Sequence, residues 1–125
     1  MTSQLAWIAV AGAIGTLCRY GLSGIVQQAF GAGFPWGTIV TNAVGCFLFA
    51  LVWSLTEDRL LISAQTRFIV LTGFMGAFTT FSTFAHETSL LARDAEWLRA
   101  ALNLCGQNLL GMTSVLAGWT VGRWL

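Results

Sequence analysis

Charge is what this chain has least of. Only 9% of its 125 residues are Asp, Glu, Lys or Arg, against about 25% in soluble domains. Lysine is absent, and the six cations are Arg19, Arg59, Arg67, Arg93, Arg99 and Arg123. A net charge of +1 assembles no basic patch, which excludes a nucleic-acid partner. There is one histidine, no pairing of a nucleophile with a base and no phosphate-binding loop, so no enzyme reading survives. The three cysteines, Cys18, Cys46 and Cys105, fall in apolar stretches and lack zinc-ligand spacing, which points to packing rather than a disulfide framework. Proline occurs once, as Pro35, in a Gly31–Pro35 stretch that reads as a turn. The N-terminus has no basic start and its apolar region runs too long for a signal peptide. No low-complexity tail or soluble domain stands out.

What the chain has instead is apolar length. It is 56% hydrophobic with a mean hydropathy of +0.74. A hydrocarbon core about 30 Å thick needs roughly 20 residues of helix at about 1.5 Å each. Segments at about 5–30, 36–56, 67–91 and 99–122 meet that requirement. The predicted fold is an all-α membrane protein, one transmembrane domain over residues 1–125 with four spanning helices. Trp7, Trp36, Trp53, Trp97, Trp119 and Trp124 lie near segment ends, as an aromatic belt does. Ala9, Ala13, Ala11 and Gly15 on the first helix form small-xxx-small pairs suited to close packing.

The third segment is unlike the others. Gly73 to Glu87, GFMGAFTTFSTFAHE, mixes four phenylalanines with two glycines, four hydroxyl residues, a histidine and a carboxylate. Polar atoms at membrane depth are costly unless they pair or line a wet cavity. Gly73, Gly76 and Thr79–Thr80 predict a helix broken near the membrane centre, which is tolerated only inside protein or beside water. A break frees carbonyl oxygens, and oxygen-only ligation suits a hard cation such as Na⁺. The alternative is a kinked, unbroken helix whose hydroxyls bond back one turn. Phe81, Phe84 and Glu87 share a face, with Thr80 and Thr83 woven into it.

Other polar residues face the same question. Arg19 lies deep in the first helix, where a guanidinium needs carbonyls, a carboxylate, water or an anion, or else snorkels to the interface. Asn42 shares a face with Thr38 and can either bridge helices or aim an N–H at an anion. Asn103, Gln107 and Asn108 on the fourth helix form either a polar rail or interhelical hydrogen bonds. Arg59, Arg67 and Arg123 collect on one side of the membrane and Arg93 and Arg99 on the other. That gives no firm orientation and leaves open a pairing with an inverted copy.

The motifs GAIGTLCRY (Gly12–Tyr20), TNAVGCF (Thr41–Phe47) and GFMGAFTTFSTFAHE (Gly73–Glu87) resemble the Fluc, or CrcB, family of small fluoride channels over essentially the whole chain. The resemblance implies an antiparallel, dual-topology homodimer in the bacterial inner membrane, with two passive fluoride pores that lower cytoplasmic fluoride. It implies pore phenylalanines Phe81 and Phe84, and polar positions Asn42, Ser82, Thr80, Thr83, Glu87 and Arg19 along the pathway. It also implies a structural, untransported Na⁺ held by backbone carbonyls of Gly76 and Thr79. The amides at 103, 107 and 108 depart from the hydroxyl-rich pattern expected there. The expected partners are fluoride, membrane lipid and a second copy of the chain. Rival readings are a small multidrug-type cation transporter, which needs a membrane carboxylate, and a non-transporting membrane scaffold.

Overall fold

A computed structural model describes residues 1–57 and 61–125. Asp58 and Arg59, two of the charges assigned to the second connection, lie outside the described residues. Three columns are single helices: α1 (Thr2–Phe30), α2 (Trp36–Glu57) and α6 (Trp97–Trp124). The third column is composite. It runs through α3 (Ala64–Phe68), a π-helical stretch (Ile69–Met75), α4 (Gly76–Phe78) and α5 (Phe81–Arg93).

Among the described residues, three stretches are long and apolar enough to cross a membrane: Thr2–Phe30, Trp36–Glu57 and Ala64–Arg93. The 28 residues of α6 match them in length, but Asn103, Gln107 and Asn108 lower its hydropathy. The exterior carries large apolar side chains such as Leu17, Ile25, Leu109 and Met112. The interior holds Thr38, Thr41, Ser54, Thr56, Asn103 and Gln107 beside Ile39, Ala50, Leu71, Met75, Phe78 and Phe84. Apolar outside and polar groups turned inward is the arrangement that lipid demands, because polar side chains there pair across helices.

One side chain shapes the first turn. Gln27 Nε2 donates to Gly31 O at 2.5 Å and Phe34 O at 2.9 Å, while Gln27 Oε1 accepts from the Gly37 N–H at 3.0 Å. At the same end, Arg99 Nη1 donates to Gly33 O at 3.2 Å and to Glu96 Oε2 at 2.8 Å, tying the first connection to the third. The two connections therefore lie together, as alternating up and down helices require.

The third column corrects two expectations. Gly73 and Gly76 do not interrupt the helix. Gly76 is helical (φ −62°, ψ −32°), and Gly73 lies in the π-helical stretch. Gly73 is there for packing: a Cβ at that position would lie 2.9 Å from Ala11 Cβ and 3.1 Å from Ile8 O on α1. The interruption is confined to Thr79 (φ −84°, ψ 157°) and Thr80 (φ −147°, ψ 112°).

Candidate functional site

The break is built by side chains that outbid the helix for backbone groups. Thr80 Oγ1 accepts from the Thr83 N–H at 3.2 Å and so caps α5, the competition threonine offers at helix starts. Asn42 on α2 supplies the rest. Its Oδ1 accepts from the Thr80 N–H at 2.8 Å and its Nδ2 donates to Thr80 O at 3.1 Å. In a continuous α-helix the N–H of residue 80 would bond Gly76 O, and that of residue 83 would bond Thr79 O. Both donors are diverted, so the Gly76 and Thr79 carbonyls lose their helical partners. Thr79 itself stays tied to the preceding turn, its N–H and Oγ1 both donating to Met75 O. The back-bonding expected of an unbroken helix thus occurs at Thr79 alongside the break.

Asn42 is in turn the end of a chain of amides. Its Nδ2 donates to Gln107 Oε1 at 2.9 Å, Gln107 Nε2 to Asn103 Oδ1 at 3.0 Å, and Asn103 Nδ2 to Thr88 Oγ1 at 2.8 Å. Thr88 Oγ1 then donates to Phe84 O at 2.8 Å. The chain leaves the third column at its break, crosses α2 and α6, and returns to α5 one turn past Phe84. Asn103 is fully buried, which in lipid is tolerable only with both ends of its amide paired. Asn108 stands apart, exposed and bonded to Leu104 O at 2.7 Å. Between the rail and the interhelical reading of α6, Asn103 and Gln107 follow the second.

Two cavities flank Thr80, which lines both. One, of about 560 Å³, is lined among others by Asn42, Thr79, Phe81, Phe84, Gln107 and Asn108. Phe81 and Phe84 meet edge to face there, centroids 5.6 Å apart at 65°. Phe84 is 7% exposed and Phe81 78%, so one ring is seated in the subunit and the other projects from it. The rim of an aromatic ring is its positive edge. Close approach of α2 to the break depends on Gly45, because a Cβ there would collide with the Thr79 side chain.

The second cavity, of about 460 Å³, is lined among others by Arg19, Ser23, Thr38, Thr41, Thr80 and Thr83. Arg19 therefore faces hydroxyls and sits apart from the phenylalanine pair. The Thr38 hydroxyl donates to Glu87 Oε1 at 2.9 Å, while Glu87 Oε2 is buried without a hydrogen-bond partner. Ser82 Oγ lies 3.3 Å from Thr80 Oγ1, and Thr80 Oγ1 is 3.0 Å from Thr83 Oγ1. Sequence reasoning assigned no role to Thr41, which is completely buried with its Oγ1 unpaired. Its neighbour Asn42 drew the attention, and nothing in the local pattern marks Thr41 as facing a cavity.

Among the described residues no cluster of three or more His, Cys, Asp or Glu side chains could hold a metal. Any cation near the break would rely on neutral oxygens of the backbone, hydroxyls or amides. Hydroxyls and ring edges beside the interrupted helix, with an arginine-bearing cavity on its other side, are groups that can hold a small anion.

Comparison with known proteins points the same way. Residues 6–119 match the family described as CrcB-like protein, Camphor Resistance (CrcB). The chain is 63% identical over 98% of its length, and 98% of the relative, to a protein of Nitrosococcus oceani named fluoride-specific ion channel FluC. Proteins of the same name in Solidesulfovibrio magneticus and Desulforapulum autotrophicum are 50% and 49% identical, again over 98% of both chains.

Proposed function

This chain belongs to the CrcB family, and from that we infer that it is a fluoride-specific ion channel, a multi-pass membrane transporter rather than an enzyme. The observation that carries the reading is full-length identity of up to 63% to proteins named for that activity. Fluoride is small and tightly hydrated, so a selective path must offer close donors in place of water, in a narrow and rigid setting. Ser82 and Thr83 supply hydroxyl donors, with the Thr80 hydroxyl donating to Thr83 Oγ1, and Phe81 and Phe84 supply positive ring edges. Arg19 gives the second cavity a positive wall that favours anion entry. Both donors of Asn42 are already engaged, so its part is to hold the break open, while Glu87 anchors Thr38 across the α2–α5 contact.

The finer architecture is part of the proposal. All four columns cross the membrane, α6 included, because its buried amides are paired with α2 and α5 and need no water. The working unit is an antiparallel, dual-topology homodimer in the inner membrane. In its favour, Phe81 is 78% exposed beside a cavity open on one subunit, so a second copy is needed to enclose the path. The Gly76 and Thr79 carbonyls, stripped of helical partners, are hard oxygen ligands that fit Na⁺. Two copies related by a two-fold axis would bring four such oxygens together. A bound Na⁺ would supply only positive charge that satisfies these oxygens; conduction is the work of the side chains.

The deciding experiment is fluoride efflux from liposomes holding the purified protein. Fluoride-selective efflux, with chloride excluded, is expected; export of a cationic dye instead would favour the multidrug-type reading, and no flux of either would favour a scaffold.

A further inference from the structure

A third cavity, about 260 Å³ and away from the break, lies where the end of α2 meets the start of α3. Its walls include Phe49, Phe68, Leu71 and Trp53, and among the described residues its one charged member is Arg67. The Arg67 guanidinium lies 4.9 Å from the centroid of the Trp53 ring. Trp53 is fixed from its other side, its Nε1–H donating to the Glu57 carboxylate. A guanidinium stacked on an aromatic face keeps its edge donors free, and those donors suit a two-pronged oxyanion.

None of the protein's described side-chain carboxylates is disposed to take them. Glu57 holds Trp53, and Glu87 holds Thr38. Asp94 is 3.2 Å from Arg93 and Glu96 is 2.8 Å from Arg99. Among the described side chains, then, no carboxylate is paired with Arg67, a half-buried cation beside apolar walls within one turn of the end of a membrane-spanning stretch. At that depth the abundant oxyanion is the phosphodiester of a lipid, and Trp marks the same headgroup level.

We propose that this cavity binds an anionic phospholipid, its phosphate on the Arg67 edge over Trp53 and the upper part of one acyl chain along Phe49, Phe68 and Leu71. Free phosphate is disfavoured, because one cation among apolar walls offers it little beyond what water does. A second copy of the chain is disfavoured because its exposed described side-chain carboxylates, Glu57, Asp94 and Glu96, each already have a partner and Glu87 is half-buried at Thr38.

The test uses full-length protein, stripped of lipid in detergent and examined by native mass spectrometry with added phosphatidylglycerol or phosphatidylcholine. Wild type should retain phosphatidylglycerol at least five-fold better than phosphatidylcholine. Arg67→Gln should abolish that preference, Arg67→Lys should keep part of it, and millimolar inorganic phosphate should not displace the lipid. Trp53→Leu, which removes the platform but not the charge, should weaken retention and gives a second reading if Arg67→Gln folds poorly. Equal retention in wild type and Arg67→Gln would overturn the proposal. So would displacement of lipid by inorganic phosphate, which would indicate a free-anion site. Loss of dimer in Arg67→Gln with no lipid preference in wild type would overturn it in favour of a contact between copies.

Discussion

Asn42 and Thr80 are joined as two strands would be: the Asn42 side-chain amide pairs with both the N–H and the C=O of Thr80, at 2.8 and 3.1 Å. One side chain from α2 thus satisfies both backbone groups of Thr80 at the break, and the same amide is held from α6 by Gln107.

Asn42→Ala should be the most damaging single change at the break. It leaves the Thr80 N–H, Thr80 O and Gln107 Oε1 without their partner, and each orphaned buried group costs about 1–3 kcal/mol. Fluoride efflux should fall to background, and the melting temperature of the detergent-solubilised protein should drop by several degrees. Wild-type efflux from Asn42→Ala would show that the break holds without this pairing.

Gln107→Met preserves bulk on α6 but ends the amide chain at Asn42. One donor on Asn42 and one acceptor on Asn103 lose their partners, so the stability loss should be about 2–6 kcal/mol, at about 1–3 kcal/mol for each, read by thermal unfolding. Flux should decline because Asn42 becomes free to swing from Thr80. Unchanged stability and flux together would make Gln107 a bystander.

Phe81→Ile and Phe84→Ile separate ring chemistry from packing. Each keeps apolar bulk and removes the positive rim. Flux should collapse in both, while gel filtration shows the same assembly as wild type. Phe84, 7% exposed, should also lose up to a few kcal/mol of stability, whereas Phe81, 78% exposed, should lose little. Full flux in both variants would reject an edge-on contact with the ion.

Replacing Na⁺ by a bulky organic cation throughout purification should weaken assembly or abolish flux, with recovery when Na⁺ is restored. The proposed ligands are backbone oxygens, so Thr79→Ser, which keeps the hydroxyl bonded to Met75 O, should behave nearly as wild type. A protein that works fully after exhaustive Na⁺ exclusion and dialysis would leave the freed carbonyls of Gly76 and Thr79 needing another partner.

A cysteine introduced near residue 2 should react with impermeant thiol reagents from both sides of the membrane, once Cys18, Cys46 and Cys105 have been replaced. Labelling from one side alone would rule out dual topology.

Much of this protein is set by composition and local pattern. Charge scarcity and apolar length dictate membrane helices, because lipid offers no water to unpaired backbone. The Gly31–Pro35 turn follows from residue type, and an interruption in the third segment is legible from its clustered hydroxyls. Which of the named positions, Gly73, Gly76 or Thr79–Thr80, carries the interruption was not legible. Gly73 and Gly76 permit many conformations, yet both stay helical, and what selects Thr79–Thr80 is Asn42, 38 residues away in sequence. The same holds for Asn103 and Gln107, whose spacing fits a rail or a bridge equally. Only the placement of α6 against α2 and α5 turns their amides into a chain. Arg19 likewise reads as deep in a helix, but tertiary packing gives it a hydroxyl-lined cavity separate from the phenylalanine pair. Helix identity is a property of each segment's own solvation; the break, the amide chain and the two cavities arise from contacts between segments, which no local pattern encodes.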